Sequence, residues 1–95
     1  MAGTTVPARE SGVVTRAVAG ETVLVPVRER VADLDYVYTL DAVATFVWER
    51  IDGKTSVDAL LGAILEGFDV DEPTAVADLG ELLADLREAG LVRWD

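Results

Sequence analysis

The order of the predicted elements places this 95-residue chain in the α+β class, with a small antiparallel sheet followed by three helices. Two observations predict this class. Up to Leu40 the chain contains short runs rich in β-branched and aromatic residues, as strands do. Beyond Leu40, apolar residues recur three and four positions apart, which is typical of amphipathic helices.

The first two strands are predicted on either side of a turn at Gly20. Residues 13–18 are short and β-branched, and they form either a first strand or an entry segment. Residues 21–27 carry four Val or Leu side chains and are the clearest strand. Pro26 has no N–H to donate, so one side of this strand is predicted to be free there. The charged run 28–34 bridges or extends the hairpin.

The third predicted strand is the run 35–40, where aromatic and β-branched residues alternate. Successive side chains of a strand point to opposite faces. We expect Tyr38 and Leu40 to face the core, and Val37 and Thr39 to lie on the exposed face. On this pattern Tyr36 shares the face of Tyr38 and Leu40. The three strands together predict an antiparallel meander.

The first two helices have recognisable ends. Asp41 is a good N-cap for the first, and Asp52-Gly53 ends it. The second begins in the run 55–58, where a hydroxyl cap is followed three residues later by an acid. Their predicted buried stripes are Val43, Ala44, Phe46, Val47, Trp48 and Ile51 in the first helix and Leu60, Leu61, Ile64, Leu65 and Phe68 in the second.

The third helix is predicted to begin at Asp71 or Glu72, with Pro73 tolerated in its first turn, and to end at Gly90. The apolar tail 91–95 is short enough to fold back on the core. The predicted buried stripe of the third helix consists of Val76, Leu79, Leu83 and Leu86, widened by Leu82.

The chain is predicted to be one domain at residues 13–95, preceded by a flexible tail at residues 1–12. The tail is polar and has no apolar segment of the kind found in a signal peptide. No run approaches the roughly 18 apolar residues that a membrane-spanning helix needs. We therefore expect a cytoplasmic protein that does not bind membranes.

The composition argues against catalysis and against nucleic-acid binding. The chain has no Cys and no His, so the commonest metal ligands and the usual general base near neutral pH are missing. We expect no catalytic residue, no metal and no cofactor. The net charge is −10, and only eight basic residues are scattered along the chain. Binding to phosphates requires a concentration of Lys and Arg, so nucleic acid is disfavoured as a partner.

The chain carries Gly-Glu-Thr-Val-Leu-Val at 20–25 and Val-Tyr-Thr-Leu-Asp at 37–41. Together with the motifs that follow them, they form an ordered series that resembles the PqqD-like family, named after coenzyme PQQ synthesis protein D. The run 46–57 carries Trp-Glu and then Asp-Gly-Lys-Thr-Ser-Val. Phe-Asp-Val-Asp at 68–71 and Gly-Leu-Val at 90–92 complete the series. The family often has Asn where this chain has Asp41, and either residue caps a helix.

The resemblance implies a winged-helix-like fold and a non-catalytic role as a recognition element for ribosomally made, later modified peptides. In the family, the leader of a precursor peptide adds as a strand to the edge of the third strand and packs against the third helix. The domain then presents the peptide to a modifying enzyme, often a radical SAM protein. Carried over by position, the peptide-binding residues are Tyr36, Val37, Tyr38, Thr39, Asp78, Leu79, Leu82, Leu83 and Leu86.

Some of these residues have a simpler structural interpretation. About half of the leucines of the third helix must face the other helices, and the sequence does not separate them from those that line a groove. Asp78 is, as a single acid, more often only solvated. The excess of acids over the whole chain would favour leaders that carry Lys or Arg.

Three other functions fit parts of the sequence. A winged-helix DNA-binding protein would share the architecture, but the second and third helices begin with acids where bases would be needed. An acidic carrier protein would need a modifiable Ser in an Asp-Ser-Leu context, and Ser56 lies between Thr and Val. A structural module that forms a homodimer through the edge of the third strand stays open, because exposed edges invite self-association.

Overall fold

The computed structural model describes residues 1–28, 31–32 and 37–95 of the chain. Six strands and three helices lie in these residues, in an order that confirms the predicted α+β class. They are β1 (Ala8–Arg9), β2 (Val13–Val18), β3 (Glu21–Arg28), β4 (Val31–Ala32), β5 (Tyr38–Leu40), α1 (Ala42–Arg50), α2 (Val57–Gly67), α3 (Glu72–Glu88) and β6 (Val92–Arg93).

The main sheet is built around β3, which pairs with three antiparallel neighbours. Leu24 of β3 is in register with Thr15 of β2 on one side and with Tyr38 of β5 on the other. The short β4 pairs with the far end of β3. Since one residue of β3 faces both β2 and β5, these two strands lie on opposite edges of the sheet. The predicted meander is therefore present, and its third strand begins at Tyr38 within the described residues.

The predicted helix starts agree with the structure to within one residue. A carboxylate oxygen of Asp41 accepts a hydrogen bond from the backbone N–H of Ala44 at 2.8 Å, as an N-cap does. The cap of α2 is Ser56, one residue later than Thr55, and Asp71 is the N-cap of α3. The side chains of Asp41 and Ser56 each satisfy an N–H group that the helix leaves free, whereas the side chain of Asp71 forms no capping hydrogen bond.

The core lies between β3 and the three helices. Two differences from the predicted stripe of α3 are clear. Val76 is 51% exposed, so its predicted burial is wrong, and Ala75 is buried in its place. The buried face of α3 centres on Leu79, and Ala75 lies one turn before it on that face, whereas Val76 is turned toward one flank. The buried hydrophobic residues are Leu24, Val25, Leu40, Ala44, Val47, Trp48, Ile51, Leu60, Ile64, Ala75, Leu79, Leu83, Leu86, Leu91 and Val92.

The C-terminal residues fold back on the core, as predicted. Leu91 and Val92 are both buried, and β6 forms a second, two-stranded sheet with β1. Ala8 is in register with Arg93, and Arg9 with Val92. The sequence did not predict β1, because two residues are too few to show a strand pattern.

Residues 1–9 make specific contacts that their polar composition does not predict. Pro7 is buried. The carbonyl oxygen of Thr5 accepts a hydrogen bond from the N–H of Val57 at 2.8 Å, and that of Gly3 from the N–H of Asp58 at 2.9 Å. The segment thereby satisfies two N–H groups at the start of α2 that have no partner within the helix. The division of the chain into a flexible tail and a domain stays a prediction.

We expect deletion of residues 1–9 to lower the free energy of unfolding by about 2–4 kcal/mol, because it removes two capping bonds, β1 and the burial of Pro7. Urea denaturation followed by circular dichroism measures the change. Deletion of Met1 alone, which is 59% exposed, is the matched control and should leave stability unchanged. Equal stability of the long deletion and the control would show that this segment is a loose tail.

Among the described residues, no helix combines the length and apolar character needed to span a bilayer.

Candidate functional site

β2 and β5 lie at the two edges of the main sheet, and within the described residues the outer edge of each is open to a further strand. Within the described residues β5 pairs only with β3. In an antiparallel pair, alternate residues direct their N–H and C=O groups toward the neighbouring strand, and the others direct theirs away. The edge of β5 that faces away from β3 therefore presents backbone donors and acceptors with no strand beside them. Such an edge is able to bind an extended peptide.

The side chains on and beside β5 alternate as the sequence predicts. Leu40 is buried and Tyr38 is half-buried against the core. Thr39 is exposed, and Val37, just before the strand, is 44% exposed. Of the predicted peptide contacts on this strand, Tyr36 lies outside the described residues. The exposed Val37 and Thr39 and the half-buried Tyr38 all lie at the open edge.

The structure separates the leucines of α3 into two groups. Leu79, Leu83 and Leu86 are buried in the core and have almost no accessible surface. Leu82 is only partly buried and packs against the core beside them, and Asp78 is exposed. Of the five α3 residues predicted to contact a peptide, Leu82 and Asp78 are the two with accessible surface.

Tyr38 connects β5 electrostatically with α3. Burial raises the pKa of the Tyr38 hydroxyl, and the nearby carboxylates of Asp85, Asp41 and Glu81 raise it further. Asp85 and Glu81 belong to α3, so the charges of this helix act on Tyr38. Tyr38 and Leu82 both pack, partly buried, against the same core. We name the surface between β5 and α3 that carries these two side chains the β5/α3 groove.

Two residues of the groove wall were missed by sequence reasoning. Glu81 and Asp85 follow Asp78 by three and seven positions, and residues at these spacings lie on one side of a helix. That spacing is visible in the sequence. It gives no sign of which side of the helix faces the strand, because α3 also carries acids near its two ends, Glu72 and Glu88.

The pH titration of Tyr38 tests this geometry. In a Tyr36→Phe background, absorbance at alkaline pH follows Tyr38, and we expect its pKa to lie above that of a free tyrosine near 10. Asp85→Asn should lower it, while Glu88→Gln, at the end of the same helix, should not. Because the folded-state pKa is raised, the stability that Tyr38 contributes is present below pH 10 and is lost as the pH rises through the raised value. A pKa that Asp85→Asn leaves unchanged would contradict the closeness of α3 to β5.

An apolar cleft of about 200 Å³ opens where α1, α2 and α3 meet beyond the end of β5. We name it the helix-end cleft. Its lining is mostly apolar, and two exposed acids, Asp69 and Asp78, border it. Asp78 thus belongs both to the cleft and to the flank of α3 that faces β5. The apolar lining residues are Val43, Ile64, Phe68, Val70 and Ala75.

A wider depression of about 600 Å³ lies at the end of the main sheet, between the turn at Gly20 and the first turn of α1. It is lined by backbone and by short polar side chains such as Thr22 and Thr45. No residue of α2 or α3 contributes to it. It is therefore an open hollow of the surface, and the smaller helix-end cleft is the more enclosed and more apolar of the two.

In the described part of the chain, no group of three or more acids is placed to hold a metal ion.

Comparison with known structures identifies the class of fold. The chain is similar to TbiB1, which was solved in complex with the TbiA(beta) leader peptide. The two share 24% sequence identity with a TM-score of 0.74, and the match covers 90% of this chain and 94% of the TbiB1 chain. This likeness shows that the α+β fold of the two proteins is the same.

The family follows from the sequence match. The family model described as coenzyme PQQ synthesis protein D (PqqD) matches residues 21–92. Since this range spans most of the chain, the protein belongs to the PqqD family, and the predicted resemblance is confirmed. A comparison with curated proteins gave no match.

Proposed function

We propose that this protein binds the leader of a ribosomally made precursor peptide and presents it to a modifying enzyme, without catalysing a reaction itself. The leader adds as a strand to the outer edge of β5, and its side chains on one face enter the β5/α3 groove. The modifying enzyme is a separate protein, for which a radical SAM enzyme is the first candidate. The cytoplasm, where precursor peptides are made, is the proposed location.

The open edge of β5 beside Leu82 is the observation that carries the proposal. Main-chain hydrogen bonds to a strand edge give affinity with little demand on sequence, and side-chain pockets add specificity. Val37 and Thr39 are exposed at this edge, and Tyr38 and Leu82 offer partly buried apolar surface on the two sides of the groove. Membership of the PqqD family and the leader peptide bound by TbiB1 support the same function.

Titration of the ¹⁵N-labelled protein with a synthetic leader peptide tests the proposal. The peptide is taken from the precursor encoded beside the gene of this protein. We expect the amides of residues 37–40 and of α3 around Leu82 to shift together and to saturate. Alanine variants at Val37 and Leu82 should weaken binding. The amide of Lys54, in the loop between α1 and α2, is an internal reference that should not shift.

Light scattering on the same sample separates peptide binding from self-association. A homodimer that pairs two copies through β5 would occupy the proposed site. A monomer whose amides do not move at high peptide excess would contradict the proposed function. A dimer that dissociates as the peptide saturates the β5 amides would show that both partners use the same edge.

A further inference from the structure

Three acids form a row on the flank of α3 that faces β5. Asp78, Glu81 and Asp85 are all exposed, and their spacing places them on one side of the helix with Leu82 between them. Asp41 adds a fourth carboxylate at the end of β5. In the described part of the chain none of these four acids forms an ion pair with a basic side chain.

The described basic side chains with assigned contacts lie elsewhere on the molecule. The guanidinium of Arg9 covers the ring of Trp48, and that of Arg87 covers the ring of Trp94. The guanidinium of Arg50 covers the ring of Phe46 in α1, and Arg93 forms an ion pair with Glu10 at 3.5 Å. These contacts lie on the helix flanks and the second sheet, not between β5 and α3. The wall of the β5/α3 groove therefore carries a negative field that described neighbours do not offset.

The helix-end cleft adds a second element of selectivity next to this row. Its volume is about 200 Å³ and its lining is apolar. A cavity of about 150 Å³ lined by Leu, Ile and Phe holds a benzene molecule, so the helix-end cleft has room for one side chain of the size of Leu or Phe. Asp78 borders the cleft and begins the acidic row.

The distance from the helix-end cleft to Asp85 sets the number of residues between the two peptide side chains that these sites would bind. Asp78 and Asp85 are seven positions apart, which is about 10.5 Å along the helix axis. An extended peptide rises about 3.3 Å per residue, and every second side chain points to the same face. In a peptide strand that runs along the axis of α3, a side chain in the cleft and another beside Asp85 are therefore two or four residues apart.

Building on the proposed function, we propose that the β5/α3 groove selects peptides in which an apolar residue stands two or four positions from a Lys or Arg. The apolar side chain fills the helix-end cleft. The cationic group lies beside the carboxylates of Glu81 and Asp85. Exposed ion pairs contribute little each, so the row acts on the choice between peptides and on the rate of association more than on total affinity.

Selection from a displayed library of random dodecapeptides tests this inference with three forms of the full chain. The first is the unchanged protein. In the second, Glu81→Lys and Asp85→Lys reverse the row. In the third, Glu66→Lys and Glu88→Lys make the same change in net charge at exposed positions that do not line the groove.

We expect the unchanged protein and the control to enrich peptides with Lys or Arg two or four residues from Leu, Ile or Phe. The reversed row should lose this preference. A selected peptide should bind the variant with the reversed row about tenfold more weakly than it binds the control variant. This difference in affinity should become smaller at high salt.

Two other results would overturn the inference in different ways. If the folded protein enriches no peptide, both strand addition and the inference fail. If peptides are enriched without a basic preference, or bind the control and the reversed row equally, only the inference fails and the proposed function stands. Circular dichroism on each variant shows that it is folded.

Discussion

Leu82→Asn is expected to weaken binding of the leader peptide by at least about tenfold. Leu82 is the leucine of α3 that combines contact with the core and accessible surface on the groove. Asn has nearly the shape of Leu, but its amide must lose water when a peptide covers it. Leaving such a group without a hydrogen-bond partner costs about 1–3 kcal/mol, and 1.4 kcal/mol is a factor of ten in affinity.

Val76→Asn is the matched control for this variant. Val76 lies on the same helix and is 51% exposed, but it is on the opposite flank and lines a different cavity with Met1 and Leu61. Fluorescence anisotropy with a labelled leader peptide should give affinities for Val76→Asn within about twofold of the unchanged protein. Equal losses for the two variants would mean that the groove beside Leu82 is not the peptide site. Thermal unfolding of both variants checks that the fold is intact.

Trp48→Ala should remove about 3–5 kcal/mol from the free energy of unfolding. The Trp48 side chain is 1% exposed and lies in the centre of the core. Its indole N–H donates to the hydroxyl oxygen of Thr15 at 3.0 Å, which connects α1 with β2. Arg9 covers the ring at 4.4 Å and donates to the Trp48 carbonyl oxygen at 2.6 Å.

The loss at Trp48 is large in relation to the total. A domain of this size has a free energy of unfolding of about 5–15 kcal/mol, so Trp48→Ala should remove a large share of it. Trp94→Ala, at a half-buried position near the C-terminus, is the control and should cost much less. Trp48→Phe keeps most of the apolar volume and should cost an intermediate amount. Denaturant unfolding measures the free energy of unfolding of all three variants. A Trp48→Ala protein as stable as Trp94→Ala would contradict the assigned core.

The main sheet and the three helices were predicted well because most of these elements carry their own local signal. Asp41 and Ser56 lie at the helix starts where short polar side chains cap free N–H groups. Alternation along the third strand separated exposed Thr39 from buried Leu40. These signals depend on residues close together in the chain, so they are visible without knowledge of tertiary contacts.

The features that the sequence did not predict depend on contacts between distant segments. The pairing of β1 with β6 joins residues 8–9 to residues 92–93, and nothing in either pair alone indicates a strand. The apolar pattern of α3 fitted Val76 as well as Ala75, and only the packing against α2 and residues 1–3 decides between them. Likewise, only the tertiary packing of α3 decides where its flank with Glu81 and Asp85 lies.

The candidate site was predicted in outline but not in detail. The resemblance named nine residues, and three of the leucines among them, Leu79, Leu83 and Leu86, are core residues in the structure. All three lie on the stripe that any amphipathic helix would bury, so their apolar character said nothing about a peptide. Leu82 differs only in lying at the border of that stripe.

A backbone N-methylation scan of the leader peptide tests strand addition at β5 most directly. Each N-methyl group removes one N–H donor and leaves the side chains unchanged. In a strand that pairs with β5, alternate N–H groups point at the partner, so N-methylation at every second residue should abolish binding and N-methylation between them should have far less effect. The same loss at every position, or no loss at any, would contradict pairing at the β5 edge.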